Sequence, residues 1–294
     1  ALADLERRAR QAIDVAVAST GLIGVRLPMA KLTAGVTDAV TALGDTGGPD
    51  AARAIMTTDS VPKTTVVQRD GWTVGGMAKG AGMLAPSLAT MLVVLTTDAR
   101  VPADVLQAAL ARATAVSFER VDSDGCLSTN DTVIALANGA GDATPTPEEV
   151  VQALTEACTD LAMQLLADAE GSTKDIAITV RGAASVADAL SAGRACARSN
   201  LLKTALFGGD PNWGRVLAAI GTTDAAFEPD RVDVTINGVP VCRGGAIGDP
   251  REGVDLTGRQ VAIDVDLGAG GEQATIWTND LSIAYVHENS AYST

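Results

Sequence analysis

Histidine is almost absent from this sequence: His287 is the single one in 294 residues. It lies close to the carboxyl end, between Val286 and Glu288, in a polar context that is typical of the protein surface. A Ser-His-Asp or Cys-His nucleophile would have to use this one imidazole. The scarcity therefore favours chemistry that needs no histidine.

Cysteines are few, and they are widely spaced along the chain. The four of them, Cys126, Cys158, Cys196 and Cys242, form no CxxC pair and no Cys/His cluster, so a zinc site is not expected. Their neighbours are typical of strand or helix interiors. This pattern indicates buried thiols in a reducing compartment.

Basic residues are outnumbered, with 22 Lys and Arg against 36 Asp and Glu and a net charge of -14. Such a balance argues against nucleic acid and anionic membranes as partners, because both require basic patches. No apolar run reaches the roughly 18 residues of a membrane span, and Ala1–Arg8 is more typical of a helix than of a signal peptide. We expect a cytoplasmic protein with a small polar ligand.

Apolar residues make up 47% of the chain, enough for the core of one large or two smaller domains. Helical and strand patterns alternate over the first two hundred residues, and strands with one polar face follow from Arg231 onwards. This order predicts an α/β or α+β fold with layered sheets. The last residues are too apolar for a loose tail, and we expect them to be docked.

The central stretch of the sequence is Gly75–Leu95. Its first half has four glycines within eight residues, and its second half ends in the β-type run Met91–Leu95. Thr90 lies at the join, where an ordinary threonine at a strand edge is the simplest interpretation. The sharper hypothesis is that the chain cuts its own Ala89–Thr90 bond, because a threonine at an N-terminus carries its own base. A free α-amine has a pKa of roughly 7.7–8.0 and can accept the hydroxyl proton without a histidine.

Other motifs allow a structural and a functional interpretation. Thr20 and Gly21 follow a short strand and either form a turn or supply backbone donors for an oxyanion. The Thr57–Asp59 segment either caps and turns the chain or contributes polar groups to a site. Glu170 is either a solvated residue at a helix end or a carboxylate for an ammonium group. The acidic string Asp122–Thr132 lacks the ligand spacing and closing Glu of a calcium loop.

Eight motifs, in this order, resemble the ornithine acetyltransferase (glutamate N-acetyltransferase) family of arginine biosynthesis. They are Ser19–Gly24, Ile55–Asp59, Met77–Pro86, Ala89–Leu92, Ser128–Thr132, Glu170–Lys174, Gly209–Arg215 and Glu288–Tyr292. The resemblance runs from about residue 15 to the end of the chain. It implies an N-terminal-nucleophile-like fold, a layered αββα-type sandwich with a smaller C-terminal α/β region.

The resemblance also implies self-cleavage between Ala89 and Thr90, which gives an α-part, 1–89, and a β-part, 90–294, with a C-terminal subdomain from about residue 175. The α and β fragments would stay associated, as a heterotetramer of two α and two β. Family chains extend before Ala1, so we expect the N-terminal portion of the α-part to be missing from this sequence.

The implied reaction is acetyl transfer from N-acetylornithine to glutamate through an acetyl-threonine, with no metal and no bound cofactor. Some members of the family also take acetyl from acetyl-CoA. The resemblance places the nucleophile at Thr90 and the oxyanion-stabilising pair at Thr20 and Gly21. It assigns substrate binding to six residues: Thr57, Lys79, Thr90, Glu170, Asn289 and Thr294. A cation such as Lys79 and an anion such as Glu170 are complementary to a zwitterionic amino acid.

Two other functions use the same residues. An N-terminal-nucleophile amidase or aminopeptidase would pass the acyl group from Thr90 to water instead of an amine. A non-enzymatic acidic protein would bind ornithine without cleavage or turnover. Release of acetate without glutamate would indicate the first, and an uncleaved chain that binds ornithine would indicate the second.

Overall fold

The computed structural model describes residues 16–22, 24–85, 91–126, 128 and 130–291. The helices and strands are, in chain order, α1 (Met29–Thr41), α2 (Gly48–Ala54), β1 (Lys63–Arg69), β2 (Trp72–Lys79), β3 (Leu92–Thr97), α3 (Ala103–Val116), β4 (Thr132–Ala137), α4 (Pro147–Ala167), β5 (Asp175–Ala183), α5 (Val186–Ala197), α6 (Asn200–Phe207), α7 (Trp213–Ile220), β6 (Asp233–Ile236), β7 (Val239–Arg243), β8 (Ala246–Ile247), β9 (Gln260–Asp266), β10 (Glu272–Asn279) and α8 (Ile283–Ala291). The predicted mixed α/β fold is confirmed. The helix expected at Ala1–Arg8 lies outside the described residues.

The first sheet has the strand order β1-β2-β3-β4. Its first three strands are antiparallel neighbours, and β4 runs parallel to β3. The register sets Lys79 opposite Leu92 and Leu92 beside Thr132. We call this the Lys79 end of the first sheet. Met91 and Asp131, which precede β3 and β4, are therefore neighbours near the last residue of β2.

One face of the first sheet carries the core of the N-terminal half. In β1, buried and exposed residues alternate, as expected for a strand with one face packed. Helices α3 and α4 cover the buried face, where Val74, Val93 and Leu95 join Leu154 and Leu161 in one apolar cluster. Pro145 or Pro147, followed by Glu148 and Glu149, predicts the start of a long helix. Helix α4 begins at Pro147, where Thr146 and Glu149 form a capping box across the first turn.

The second sheet has the order β10-β5-β9-β6-β7-β8, and β5 and β9 are its parallel pair. Its core cluster combines the sheet with helices α5, α6 and α7. A buried polar side chain joins the second sheet to helix α4, which covers the first sheet. Asn279, at the end of β10, donates to the carbonyl oxygens of Leu166 and Lys174, each at 3.0 Å, and accepts from the Ser123 hydroxyl at 2.7 Å. Because these groups are buried and hydrogen-bonded, they fix the end of α4 against the second sheet.

Two local features differ from the sequence pattern. The sequence pattern from Val186 to about Leu202 predicts one helix. The structure has two, because the Ser199 side chain accepts from the Leu202 amide at 3.3 Å and starts α6. The glycine, proline and asparagine residues of 203–215 predict a loop before a helix at Val216–Ile220, but 203–207 belong to α6 and 213–215 belong to α7. The hairpin of β7 and β8 was not predicted, and β8 is only two residues long.

Candidate active site at the Lys79 end of the first sheet

A buried ion network underlies the Lys79 end of the sheet. Lys63 Nζ lies 2.6 Å from Asp59 Oδ1 and 2.6 Å from Asp168 Oδ2, and the side chains of Lys63 and Asp59 are fully buried. Asp59 also accepts from the backbone N–H of Gly80 at 2.7 Å and that of Thr57 at 3.1 Å. Burial raises the pKa of Asp59, but these donors together outweigh it and hold the pKa below 3.8. The ionised Asp59 therefore ties the Thr57 segment to the turn after β2.

Lys79 is the last residue of β2, and its side chain is only 1% exposed. Burial lowers the pKa of this ammonium, and the nearby Lys63 lowers it further. Three nearby carboxylates raise the same pKa, namely those of Asp59, Asp131 and Glu170. Lys79 is thus a desolvated cation surrounded by acidic groups, a setting in which an added charged ligand interacts strongly.

Glu170 reaches this place because the turn after β2 contains glycine. The Glu170 amide donates to the carbonyl oxygen of Ala81 at 2.8 Å. The Glu170 carboxylate lies over Gly82, where an added Cβ would come within 2.7 Å of Oε2. Only a residue without a side chain lets the carboxylate approach this closely. The turn Gly80–Gly82 therefore has Lys79 at its start and Glu170 across it.

Helix α8 begins against the residue that follows Glu170. Gly171 has φ 62°, and an added Cβ there would lie 2.2 Å from the Tyr285 backbone nitrogen. Ser282 accepts from the Tyr285 amide at 2.9 Å and donates to the Gly171 carbonyl oxygen. Burial raises the pKa of Tyr285 to about 12, with further contributions from Asp124, Cys126 and Glu170. The start of α8 is therefore held against Gly171, next to Glu170, whereas none of the residues Ile283–Ala291 is buried.

The structure brings together three of the predicted site residues. Thr57, Lys79 and Glu170 surround the turn Gly80–Gly82, although 113 positions separate the first from the last. Asn289 lies on α8, is exposed, and donates to the Tyr285 carbonyl oxygen of its own helix at 3.0 Å. Thr20 and Gly21 lie in a segment without helix or strand, and no hydrogen bond among the described residues joins them to this turn. Ala89, Thr90 and Thr294 lie outside the described residues.

Sequence reasoning missed two acidic residues of this region. Asp59 was assigned to a turn by default, yet it is the acceptor that organises the turn after β2. Asp131 lies in the quoted motif Ser128–Thr132 and received no role, but its Oδ1 accepts from the backbone N–H of Met91 at 2.7 Å. The signal for Asp131 was its place just before a strand, parallel to the strand that follows Thr90.

Two features are absent from the described part of the chain. Within it, no group of three His, Cys, Asp or Glu side chains is arranged to hold a metal ion. Likewise, none of the helices seen there has the length and apolarity needed to cross a bilayer.

Comparison with known proteins links this geometry to one family. The ArgJ family profile matches residues 2–294. The chain is 63% identical over 280 residues to the arginine biosynthesis bifunctional protein ArgJ of Streptomyces avermitilis, a match that covers 95% of this chain and 73% of the relative. The identity to the protein of the same name is 61% over 280 residues in Thermobifida fusca, with the same coverage of both chains. For Mycobacterium tuberculosis it is 56% over 285 residues, which cover 96% of this chain and 70% of the relative.

A solved structure agrees with these sequence matches. The crystal structure of arginine biosynthesis bifunctional protein argJ from Bacillus halodurans superposes with a TM-score of 0.62 at 34% identity. The superposition covers 67% of this chain and 97% of that chain. The resemblance inferred from the eight motifs is thereby confirmed, and the chain belongs to the ArgJ family.

Proposed function

We propose that this protein is a glutamate N-acetyltransferase that moves an acetyl group from N-acetylornithine to glutamate. Its relatives are named as bifunctional proteins of arginine biosynthesis. In this proposal the chain cuts itself between Ala89 and Thr90, so that the α-part, 1–89, ends at Ala89 and the β-part, 90–294, begins with the nucleophile.

One observation carries the proposal: Lys79 and Glu170 lie on either side of the Gly80–Gly82 turn, next to the start of β3. N-acetylornithine and glutamate each carry a carboxylate, and ornithine and glutamate each present an amine. A buried ammonium and a carboxylate across one turn are complementary to such molecules. We assign the substrate carboxylate to Lys79 and the substrate ammonium to Glu170.

The transfer would take two steps at Thr90. In the first, the Thr90 α-amine takes the hydroxyl proton while Oγ attacks the acetyl carbonyl carbon, and the π electrons of the carbonyl move to its oxygen. When the carbonyl re-forms, the C–N bond to ornithine breaks, and the ornithine nitrogen takes the proton from the α-ammonium. In the second step the amine of glutamate attacks acetyl-Thr90, loses a proton to the α-amine, and Oγ leaves and recovers that proton.

The remaining predicted residues have supporting roles in this proposal. The oxyanion of each step would accept hydrogen bonds from Thr20 and Gly21, and one such donor is typically worth about 3 kcal/mol. Thr57, Asn289 and Thr294 would complete substrate binding. Thr57 is supported best, because Asp59 anchors its backbone to the amide of Gly80.

Three further features belong to the proposal. The two fragments remain associated as two α and two β chains, and the enzyme works in the cytoplasm. Acetyl-CoA serves as a second acetyl donor at the same Thr90.

The test is to supply purified protein with N-acetylornithine and to measure ornithine, N-acetylglutamate and acetate, with and without glutamate. The proposal expects one N-acetylglutamate for each ornithine released, and no sustained turnover when glutamate is absent. Acetate released at the same rate without glutamate would mean that water is the acceptor and would replace the transferase by an amidase.

A pair of lysine variants tests the substrate assignment. Lys79→Met should raise KM for both substrates by 10-fold or more, as expected for a desolvated charge pair worth about 1.5–3 kcal/mol. Lys31→Met, on the exposed surface of α1, is the matched control and should leave KM unchanged. Equal KM values in the two variants would remove Lys79 from the site.

A further inference from the structure

The turn after β2 is fastened at both of its ends by a carboxylate. Its start is held by Asp59, which accepts from the Gly80 N–H at 2.7 Å. Its far end is held by Asp124, whose Oδ2 accepts from the Met83 N–H at 2.7 Å, although the two residues lie 41 positions apart in the chain. Asp59 belongs to the buried ion network beneath the site, whereas Asp124 has no role in the proposed reaction.

Met83 has a backbone conformation that calls for such a restraint. Its φ angle is 52°, in the left-handed region that is costly for residues with a Cβ atom. In the described part of the chain the other non-glycine residue with positive φ is Asn237, a residue type that suits this region. Strained backbone of this kind is concentrated at functional sites. The hydrogen bond to Asp124 therefore holds Met83 in a conformation that methionine does not favour.

Asp124 is itself held in place through the residue before it. The Ser123 carbonyl oxygen accepts from Nζ of Lys203, a buried cation of α6. The Ser123 hydroxyl donates to Asn279 Oδ1 at 2.7 Å, and the Ser123 N–H donates to the Leu84 carbonyl oxygen at 2.6 Å. The pair Ser123 and Asp124 thus joins α6 and the end of β10 to the far end of the turn.

Both oxygens of the Asp124 carboxylate accept hydrogen bonds. Oδ1 accepts from the Cys126 N–H at 3.1 Å, while Oδ2 accepts from that of Met83. Burial raises the pKa of this carboxyl group, although the Cys126 and Met83 N–H groups and the Lys203 ammonium act to lower it. Asparagine has one acceptor oxygen and one NH₂ group. It therefore cannot accept from both N–H groups where they now lie.

A shift of Met83 would be passed on to Glu170. Met83 follows Gly82 directly, and the Glu170 carboxylate lies over Gly82, with 2.7 Å between Oε2 and an added Cβ. The Glu170 amide also donates to the Ala81 carbonyl oxygen at 2.8 Å. Because both the backbone and the carboxylate of Glu170 contact the turn, the shape of the turn sets where that carboxylate lies.

We infer that Asp124 is a positioning residue, which fixes the far end of the turn so that Glu170 meets the substrate ammonium. The inference rests on the proposed function, in which Glu170 binds that ammonium. Asp124 acts through the Met83 backbone and takes no part in bond making or breaking. Its loss should therefore appear as weaker substrate binding and not as slower chemistry.

Asp124→Asn tests this role, and Asp98→Asn is its matched control. Asp98 also accepts from a backbone N–H, that of Thr73 at 2.8 Å, but near the opposite end of β2. The measurements are thermal unfolding, kcat and KM for N-acetylornithine, and the Kd of ornithine by calorimetry. We expect both variants to stay folded at the assay temperature. In Asp124→Asn the KM and the Kd should rise by about 10-fold while kcat changes by less than about 3-fold, and Asp98→Asn should change none of the three.

A second substitution separates positioning from a purely structural role. Glycine takes positive φ angles about as readily as negative ones. Met83→Gly, added to Asp124→Asn, should therefore let the turn regain its shape and lower the Kd of ornithine again by about 3-fold or more. A variant that had only lost a stabilising contact would gain no affinity from this glycine.

The contrary outcomes are distinct. An unchanged Kd in Asp124→Asn would overturn the inference and leave the proposed function standing, and so would a loss of affinity that Met83→Gly does not reverse. If Asp124→Asn does not fold, Asp124→Glu takes its place with the same expectations, since it keeps the charge but moves the carboxylate by one methylene. Unfolding of both variants would mean that Asp124 serves the fold, against the inference. Failure of the proposed function itself would appear in the wild type, as absence of N-acetylglutamate.

Discussion

Gly82→Ala is the most specific perturbation that the site offers. An added Cβ at this position would lie 2.7 Å from Glu170 Oε2, 2.9 Å from Cδ and 3.0 Å from Oε1. To restore ordinary van der Waals contact at 3.4 Å, the carboxylate must withdraw by about 0.7 Å. The φ angle of Gly82 is outside the left-handed region, so alanine causes no backbone strain there. The three atoms nearest to the added methyl group all belong to the Glu170 carboxylate.

A displacement of this size is enough to weaken a positioned charge contact. Misplacement by about 1 Å can cost on the order of 10²-fold in rate, so we expect kcat/KM for N-acetylornithine to fall by roughly 10-fold to 10²-fold. Steady-state kinetics measures this fall, and denaturant unfolding checks that the fold is retained. Gly271→Ala is the matched control, because nothing lies within 4 Å of the Cβ that it would add.

A double-mutant cycle makes the reasoning refutable. If Gly82→Ala acts by pushing the Glu170 carboxylate, it should have little further effect in a Glu170→Ala background, where the carboxylate is gone. Additive losses in the double variant would show that the methyl group acts elsewhere. Unchanged kcat/KM in Gly82→Ala alone would mean that the position of Glu170 does not matter to the substrate.

Two further predictions concern the buried charges. Lys63→Met leaves two buried carboxylates without their cation and should lower the free energy of unfolding by about 3–5 kcal/mol in urea titrations. The control is Arg100→Met, which breaks an exposed pair with Asp142 and should lower it by no more than about 1 kcal/mol. Similar losses in the two variants would contradict the buried network. Burial lowers the pKa of Lys203 from the ordinary lysine value of 10.5 to about 8. The folded state therefore binds fewer protons than the unfolded state between pH 8 and 10.5. Across that window the unfolding free energy of the wild type should therefore rise, relative to that of Lys203→Met, by at most about 3 kcal/mol. The same pH dependence in the wild type and in Lys203→Met would argue against a lowered pKa of Lys203.

The sequence predicted the elements whose signals are local. Pro147 with Glu148 and Glu149 marked the start of α4, and the capping box at Thr146 bears this out. The apolar run Met91–Leu95 predicted a buried strand, and β3 spans Leu92–Thr97. Such features depend on residues within one turn of helix or one strand, so a single sequence contains the information.

The features that the sequence did not predict depend on contacts between residues that lie far apart in the chain. The approach of Glu170 to Gly82 depends on how α4 ends against the first sheet, and the contact of Asp131 with Met91 depends on β4 lying parallel to β3. Asp59 looked like a residue of an ordinary turn because its partners, Lys63 and Gly80, come from two different strand ends. The break at Ser199 was missed because one capping serine inside a helical pattern also fits an uninterrupted helix.

Intact mass analysis of active protein under denaturing conditions tests the central claim most directly. We expect two polypeptides, one that ends at Ala89 and one that begins with Thr90, and, after brief incubation with N-acetylornithine, one acetyl group on the second of them. Full acetyltransferase activity in protein whose residues 89 and 90 are still joined would contradict it.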